Sequence, residues 1–136
     1  MSMSEKNFLY ENESRLIYEA CHDVWKEFAG AFKESVVDKS LAIACKSKGL
    51  QIESQKRINL FFKGERVGNY VIDQVVNDII IIELKCKQFL TPEDIQQFWR
   101  YLKATKYKLG FLINFSPKRI EIIRRVYDTA REKLAA

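Results

Sequence analysis

The chain has few of the cysteine and histidine residues that stabilise small secreted or zinc-binding domains through disulfides or metal ions. It contains three cysteines and one histidine in 136 residues, and Cys21, Cys45 and Cys86 form no CxxC pair. An odd number of widely spaced cysteines argues against a disulfide framework or a zinc ribbon. We therefore interpret the cysteines as reduced thiols of the core, and the single histidine, His22, as a structural or surface residue.

Long apolar runs are also missing. No stretch approaches the roughly 18 residues that span a bilayer, and the start MSMSEKNFLYENES is polar, without the apolar core of a signal peptide. We expect no membrane association and a cytoplasmic location. The composition is that of a globular protein, with 47% hydrophobic and 30% charged residues, and the length predicts a single domain over 1–136.

Acidic residues are fewer than basic ones. The chain has 23 Lys and Arg against 18 Asp and Glu, a formal net charge of +5, which suits a nucleic-acid partner without establishing one. Several basic residues lie in a C-terminal stretch that is predicted to form a helix from Pro117 onward: Lys118, Arg119, Arg124, Arg125 and Arg131. Phosphate contact and a solvated amphipathic face explain that stretch equally well.

Helical spacing of apolar residues predicts two helices at the start of the chain, over 8–28 and about 32–48, separated by Ala29-Gly30 and closed by Gly49. A third is predicted from TPED, because Thr91 suits the N-cap, Pro92 the first helical position and Asp94 a capping box. Trp25 and Trp99 lie at core spacing in these helices and are interpreted as packing residues.

Apolar patterning predicts four strands, at 50–62, 66–76, 79–86 and 109–115. The third contains four consecutive isoleucines, as expected for a sheet covered on both faces. The first three strands should form an antiparallel meander, and the fourth should lie parallel to the third after a right-handed crossover. The predicted fold class is therefore α/β, with an αβββαβ core and a four-stranded mixed sheet flanked by helices.

Three charged residues occupy the apolar strands. Glu83 and Lys85 lie two residues apart on one face of the third strand, and Asp73 lies on the strand before it. A carboxylate in an apolar strand is costly unless it is compensated, and a divalent cation such as Mg²⁺ or Mn²⁺ compensates two carboxylates. Charged side chains that simply reach water at a strand end are the alternative.

The loop between those strands decides whether the carboxylates meet. A two-residue hairpin over Asn77-Asp78 would send Asp73 and Glu83 to opposite faces of the sheet. A shared cation therefore requires an odd-length loop or a bulge between them. On the following helix, Gln97 and Tyr101 lie four residues apart, on one face, and we expect Gln97 to face the same pocket.

The sequence resembles a known group of enzymes. The run IDQ…IIELK, in the αβββαβ order, resembles the PD-(D/E)xK nuclease superfamily, and QFWRY is similar to its RecB-type Q-x-x-x-Y motif. The stretch from QKRINLFF to LINFS is more closely similar to the small GxxExxR family, which belongs to that superfamily by prediction. The resemblance implies a restriction-endonuclease-like fold and phosphodiester hydrolysis.

The resemblance also assigns roles to residues. It implies that Asp73 and Glu83 bind the metal, that Lys85 assists the attacking water, and that Gln97 and Tyr101 complete the site. The family's glutamate motif falls on Glu34.

That glutamate motif is incomplete in this chain. Ala31 stands at the expected glycine position, and Val37 stands at the expected arginine position. Glu34 is therefore a site residue by resemblance alone.

The leading hypothesis is a Mg²⁺- or Mn²⁺-dependent nuclease whose metal is held by Asp73, Glu83 and the backbone carbonyl of Leu84. A non-catalytic nucleic-acid-binding module, or a subunit of a larger assembly, is the alternative, and a structural protein with a charged strand is the weakest of the three. The expected partner is nucleic acid, with DNA as the first choice, and a homodimer or a partner protein remains open.

Overall fold

The protein is described by a computed structural model over residues 9–30 and 32–127. Three features named above lie outside these residues: the first residue of the predicted N-terminal helix, Phe8; the position of the motif glycine, Ala31; and Arg131 of the basic tail. Within the described ranges, no helix is long and apolar enough to cross a membrane.

The described residues form an α/β fold with two N-terminal helices, a five-stranded mixed sheet and one further helix. The elements are α1 (Glu11–Phe28), α2 (Glu34–Ser47), β1 (Ile52–Phe62), β2 (Glu65–Val76), β3 (Ile80–Lys85), α3 (Pro92–Ala104), β4 (Leu109–Phe115) and β5 (Ile120–Val126). The strand order follows the chain, β1-β2-β3-β4-β5. As predicted, β1 to β3 pair antiparallel and β4 is parallel to β3.

The prediction was wrong about the C-terminal stretch. Instead of a helix from Pro117 onward, residues Ile120–Val126 form β5, which pairs antiparallel with the whole of β4, so the sheet has five strands rather than four. The physical reason is tertiary: the outer edge of β4 presents a row of backbone donors and acceptors, and the isoleucine-rich segment satisfies them.

The two helical layers lie on opposite faces of the sheet. Helices α1 and α2 pack with Ile80, Ile82 and Leu84 on one face, whereas α3 packs with Ile81 and with the second half of β2 on the other. By strand alternation Glu83 and Lys85 share the α3 face with Ile81. Both sides of β3 are therefore covered, which explains its continuous apolar run.

Two glycines allow close approach in this arrangement. A Cβ at Gly30 would lie 1.8 Å from the carbonyl oxygen of Ser116, so the break between α1 and α2 packs directly on the end of β4. A Cβ at Gly110 would lie 2.6 Å from the ring of Phe98, so β4 leaves room for the largest buried side chain of α3.

The start of α3 follows its sequence signature. The Thr91 side chain accepts a hydrogen bond from the backbone N–H of Asp94, and the Asp94 side chain accepts one from the backbone N–H of Thr91. Lys87 pairs with Asp94 at 2.7 Å, and the pKa of Asp94 falls to about 2 because of that ammonium and the capping bonds. The capping box thus sets where α3 begins, directly after β3 and its charged residues.

Candidate active site

The β2–β3 hairpin has an odd-length loop, as the argument from strand parity required. Val76 pairs with Ile80, which leaves a three-residue loop of Asn77, Asp78 and Ile79. The first two residues of this loop have positive φ, 51° at Asn77 and 55° at Asp78, and they close the turn. Extending this register by three residues places Asp73 opposite Glu83.

Strand β2 also changes face at Asp73. Ile72 and Val75 both pack on the α3 side although they are three residues apart, and Gln74 between them bonds to α2. Opposite Asp73 in β1, Gln55 has a φ of 54°, and neither residue has a ladder partner in the other strand. The predicted irregularity is therefore present, and it bends both strands at the carboxylate.

The two carboxylates cross the gap that opens where the β2–β3 ladder ends. The ladder stops at Gln74 and Ile82. Beyond it, the Leu84 backbone N–H donates to Asp73 Oδ2 at 2.8 Å, and the Asp73 backbone N–H donates to Glu83 Oε1 at 3.3 Å. Each side chain thus occupies the place of a ladder bond, and the two acidic groups converge.

Both acids have raised pKa values. Burial, followed by the charge of Asp73, raises the pKa of Glu83 to about 8. The pKa of Asp73 is also raised, chiefly by burial and further by Asp38, while the Leu84 N–H opposes the shift. Two facing carboxylates whose pKa values are both raised are typical of functional sites.

The structure adds a residue that sequence patterns did not indicate, Tyr70. Its hydroxyl donates to Glu83 Oε1 at 3.2 Å, and burial, followed by Glu83, raises the pKa of Tyr70. Its ring stacks on Tyr101 with centroids 3.8 Å apart and an interplanar angle of 6°. Tyr101 of the Q-x-x-x-Y motif therefore contacts the carboxylate site through Tyr70.

Helix α2 brings further acidic groups to the same end of the sheet. Glu34 lies in the first turn of α2, and the pKa of its carboxyl is raised by burial first and by Asp73 second, with Lys85 opposing. The structure thus places Glu34 within electrostatic reach of Asp73 and Lys85, although its side chain is exposed.

Asp38 of α2 was also missed. Its carboxylate accepts hydrogen bonds from the side-chain amides of Gln74, at 2.6 Å, and Gln55, at 3.1 Å. These amides come from the two strand positions at and beside the bend, so they tie α2 to it. The signal in the sequence was the spacing of Asp38, four residues after Glu34 and therefore on the same helix face.

Gln97 lies on the exposed surface of α3. It lines a groove of about 440 Å³ together with four neighbours of the same helix: Glu93, Asp94, Gln96 and Arg100. That groove is lined by α3 rather than by Asp73 or Glu83. The expectation that Gln97 faces the carboxylate pocket therefore stays a prediction, as does its part in the site.

Comparison with known families agrees with this geometry. The sequence profile of the PD-(D/E)XK nuclease superfamily matches residues 11–126, which is most of the chain, and the fold is consistent with a restriction-endonuclease-like core. The chain belongs to the PD-(D/E)XK nuclease superfamily. A search of curated proteins gave no match.

Superfamily membership implies nucleic acid as the partner, and such proteins are often phosphodiesterases that use divalent metals. The match does not distinguish subgroups. The GxxExxR family and the Q-x-x-x-Y subgroup remain predictions from the sequence.

Proposed function

We propose that the protein is a nuclease that hydrolyses phosphodiester bonds with Mg²⁺ or Mn²⁺, using Asp73 and Glu83 as metal ligands and Lys85 beside them. The observation that carries the proposal is the crossing of Asp73 and Glu83 at the end of the β2–β3 ladder. A structural protein has no use for two facing acids whose burial is costly.

The residues present fit a hard divalent cation. Carboxylate and carbonyl oxygens are the ligands that Mg²⁺ and Mn²⁺ prefer, and a cation would offset both the burial and the charge of Asp73, which together raise the pKa of Glu83. Among residues 9–30 and 32–127, no three His, Cys, Asp or Glu side chains are grouped closely enough to hold a metal. The proposed ligand set accordingly combines two carboxylates with a backbone oxygen.

Strand geometry supports Leu84 as the source of that oxygen. In a β-ladder the N–H and C=O of one residue point toward the same neighbouring strand. The Leu84 N–H points across the gap to Asp73, so the carbonyl oxygen of Leu84 should point into the same gap.

Four residues of the chain have separate roles in the proposed reaction. Asp73 and Glu83 bind the cation, and Tyr70 orients Glu83 by donating its hydroxyl hydrogen. When bound, the cation polarises the scissile phosphate and activates water. The ammonium of Lys85, two residues from Glu83 on the same face, stabilises the negative charge that develops on the phosphate and orients the attacking water.

A metal titration tests the ligands. We expect Mg²⁺ or Mn²⁺ to raise the unfolding temperature of the wild type, since a ligand at 100 times its Kd adds about 2.7 kcal/mol to the free energy of unfolding. Asp73→Ala and Glu83→Ala should lose most of this gain. Asp78→Ala, which removes an exposed acid from the hairpin loop, is the matched control and should keep it. Equal shifts in all four proteins would exclude the proposed ligands.

The hydroxyl of Tyr70 can be tested separately from its ring. Tyr70→Phe keeps the stack on Tyr101 but removes the donor to Glu83, and we expect cleavage to slow about ten-fold, because a hydrogen bond to a charged group is worth about 1.5 kcal/mol. Steady-state rates over a range of Mg²⁺ concentrations are the measurement. Wild-type rates in Tyr70→Phe would mean that the hydroxyl does not orient Glu83.

The activity itself is tested by incubating the purified protein with DNA and RNA substrates in Mg²⁺, Mn²⁺ or EDTA, beside Asp73→Ala. We expect metal-dependent cleavage that EDTA and Asp73→Ala abolish. A protein that binds these substrates tightly and cleaves none of them with either metal would instead be a nucleic-acid-binding module.

A further inference from the structure

Strands β1 and β2 continue far beyond the bend as a two-stranded arm, defined here as residues 56–72. The two strands pair as far as Phe62 and Glu65, whereas β3 pairs with β2 only from Gln74 onward. At about 3.4 Å per residue, the tip at Glu65 lies at most roughly 27 Å from Asp73. The arm is thus attached to the candidate active site at its base and free at its tip.

The two faces of the arm differ. The inner face packs on α3 through Ile58, Tyr70 and Ile72. The outer face carries four exposed side chains, Arg57, Asn59, Phe61 and Asn69, and the half-buried Val71 opposite Arg57. Asn59 and Asn69 are cross-strand partners, and the Arg57 side chain donates to that of Asn69. This face is therefore mostly polar and basic, with one aromatic ring at its outer end.

The tip concentrates apolar surface that water should disfavour. Phe61 is 62% exposed, Phe62 is 63% exposed and Val67 is 67% exposed. Between residues 57 and 69 the chain has three basic residues, Arg57, Lys63 and Arg66, and one acidic residue, Glu65. Exposed rings among cations on a β-surface are the combination by which proteins hold single strands, because the rings stack on bases and the cations attract phosphates.

We propose that the outer face of the arm binds a strand of nucleic acid with unpaired bases, and that Phe61 stacks on one of them. This rests on the proposed nuclease function and specifies its substrate as single-stranded or locally unpaired. Bases in an intact duplex hide their faces in the stack, and a phenyl ring has no donor or acceptor to recognise groove edges. A second copy of the chain fits poorly, because a two-fold contact through this face would bury Arg57 and Arg66 of both copies with no carboxylate on the face to pair with them.

The test is fluorescence anisotropy in EDTA with a labelled oligothymidylate of about 20 nucleotides, which exceeds the ~4–16 nucleotides of typical single-strand sites. Phe61→Ala and Phe61→Leu should each bind roughly ten-fold more weakly, equivalent to about 1.4 kcal/mol of lost stacking. Phe61→Trp should stay within about two-fold of the wild type, since the indole keeps a stacking face. Ile43→Ala, which removes an apolar side chain that is 68% exposed on α2, should not change binding.

Three results would overturn the inference. The first is wild-type affinity in Phe61→Leu, which would show that stacking is not the contact. The second is an equal loss of affinity for duplex of the same length, and the third is a change of oligomeric state in Phe61→Ala by analytical ultracentrifugation. Because binding is measured in EDTA, arm-dependent binding without cleavage in either metal would overturn the nuclease function alone. If the wild type cleaves nucleic acid but the arm variants bind it normally, only the proposed binding role of the arm would be overturned.

Discussion

Lys85→Ala is expected to lower the rate of phosphodiester cleavage by about 100- to 1,000-fold, because groups that stabilise transition-state charge are typically worth that much. Affinity for nucleic acid should change less than about two-fold, since total phosphate attraction is shared among many cations and Lys85 is one of 23 basic residues. Single-turnover cleavage and anisotropy binding, measured on the same preparations, separate the two effects.

Lys118 supplies the matched control for Lys85. It is exposed and follows β4, whose C-terminal end lies beside that of β3 because the two strands are parallel. Lys118→Ala removes the same charge from the same end of the sheet and should cleave at nearly the wild-type rate. Equal loss of cleavage in the two variants would mean that local positive charge matters and that Lys85 has no particular place in the reaction.

Phe98→Ala should lower the free energy of unfolding by about 3–5 kcal/mol, the usual range for deleting a buried aromatic ring. Phe98 is 2% exposed, and its ring fills the space that Gly110 leaves open on β4. Because small domains have about 5–15 kcal/mol of stability, the loss should move the urea midpoint markedly. Urea unfolding followed by circular dichroism is the measurement.

Phe89 is the control for this core residue. It is 61% exposed in the segment that precedes α3, so Phe89→Ala should change the free energy of unfolding by no more than about 0.5 kcal/mol. A comparable loss in both variants would show that the packing of α3 on Gly110 does not hold the helix in place.

Local signals in the sequence predicted most of the fold. The capping box of Thr91 and Asp94, the apolar run of β3 and the odd loop inferred from the spacing of Asp73 and Glu83 each depend on residues close together in the chain. Strand β5 was missed because its isoleucines and arginines suit a helix locally. The open edge of β4, which decides the matter, is a tertiary feature.

The candidate site was predicted only as far as its short-range pattern extends. Asp73, Glu83 and Lys85 lie on neighbouring strands, so strand parity relates them directly. Tyr70 and Asp38 reach the site because β1 and β2 bend at Gln55 and Asp73. A positive φ at a glutamine has no signature in the sequence, so the contacts that depend on it were not predictable.

The stack of Tyr70 on Tyr101 has a consequence for local unfolding. Helix α3 packs on the sheet through a few large side chains, and one of them is Tyr101. Tyr101 supports Tyr70, which in turn donates a hydrogen bond to Glu83. A fluctuation that lifts α3 therefore removes the support of Tyr70 and weakens one of the two hydrogen bonds that hold Glu83. Amide protons of α3 and of the Tyr70 segment should exchange with deuterium as one cooperative unit, with a common opening free energy.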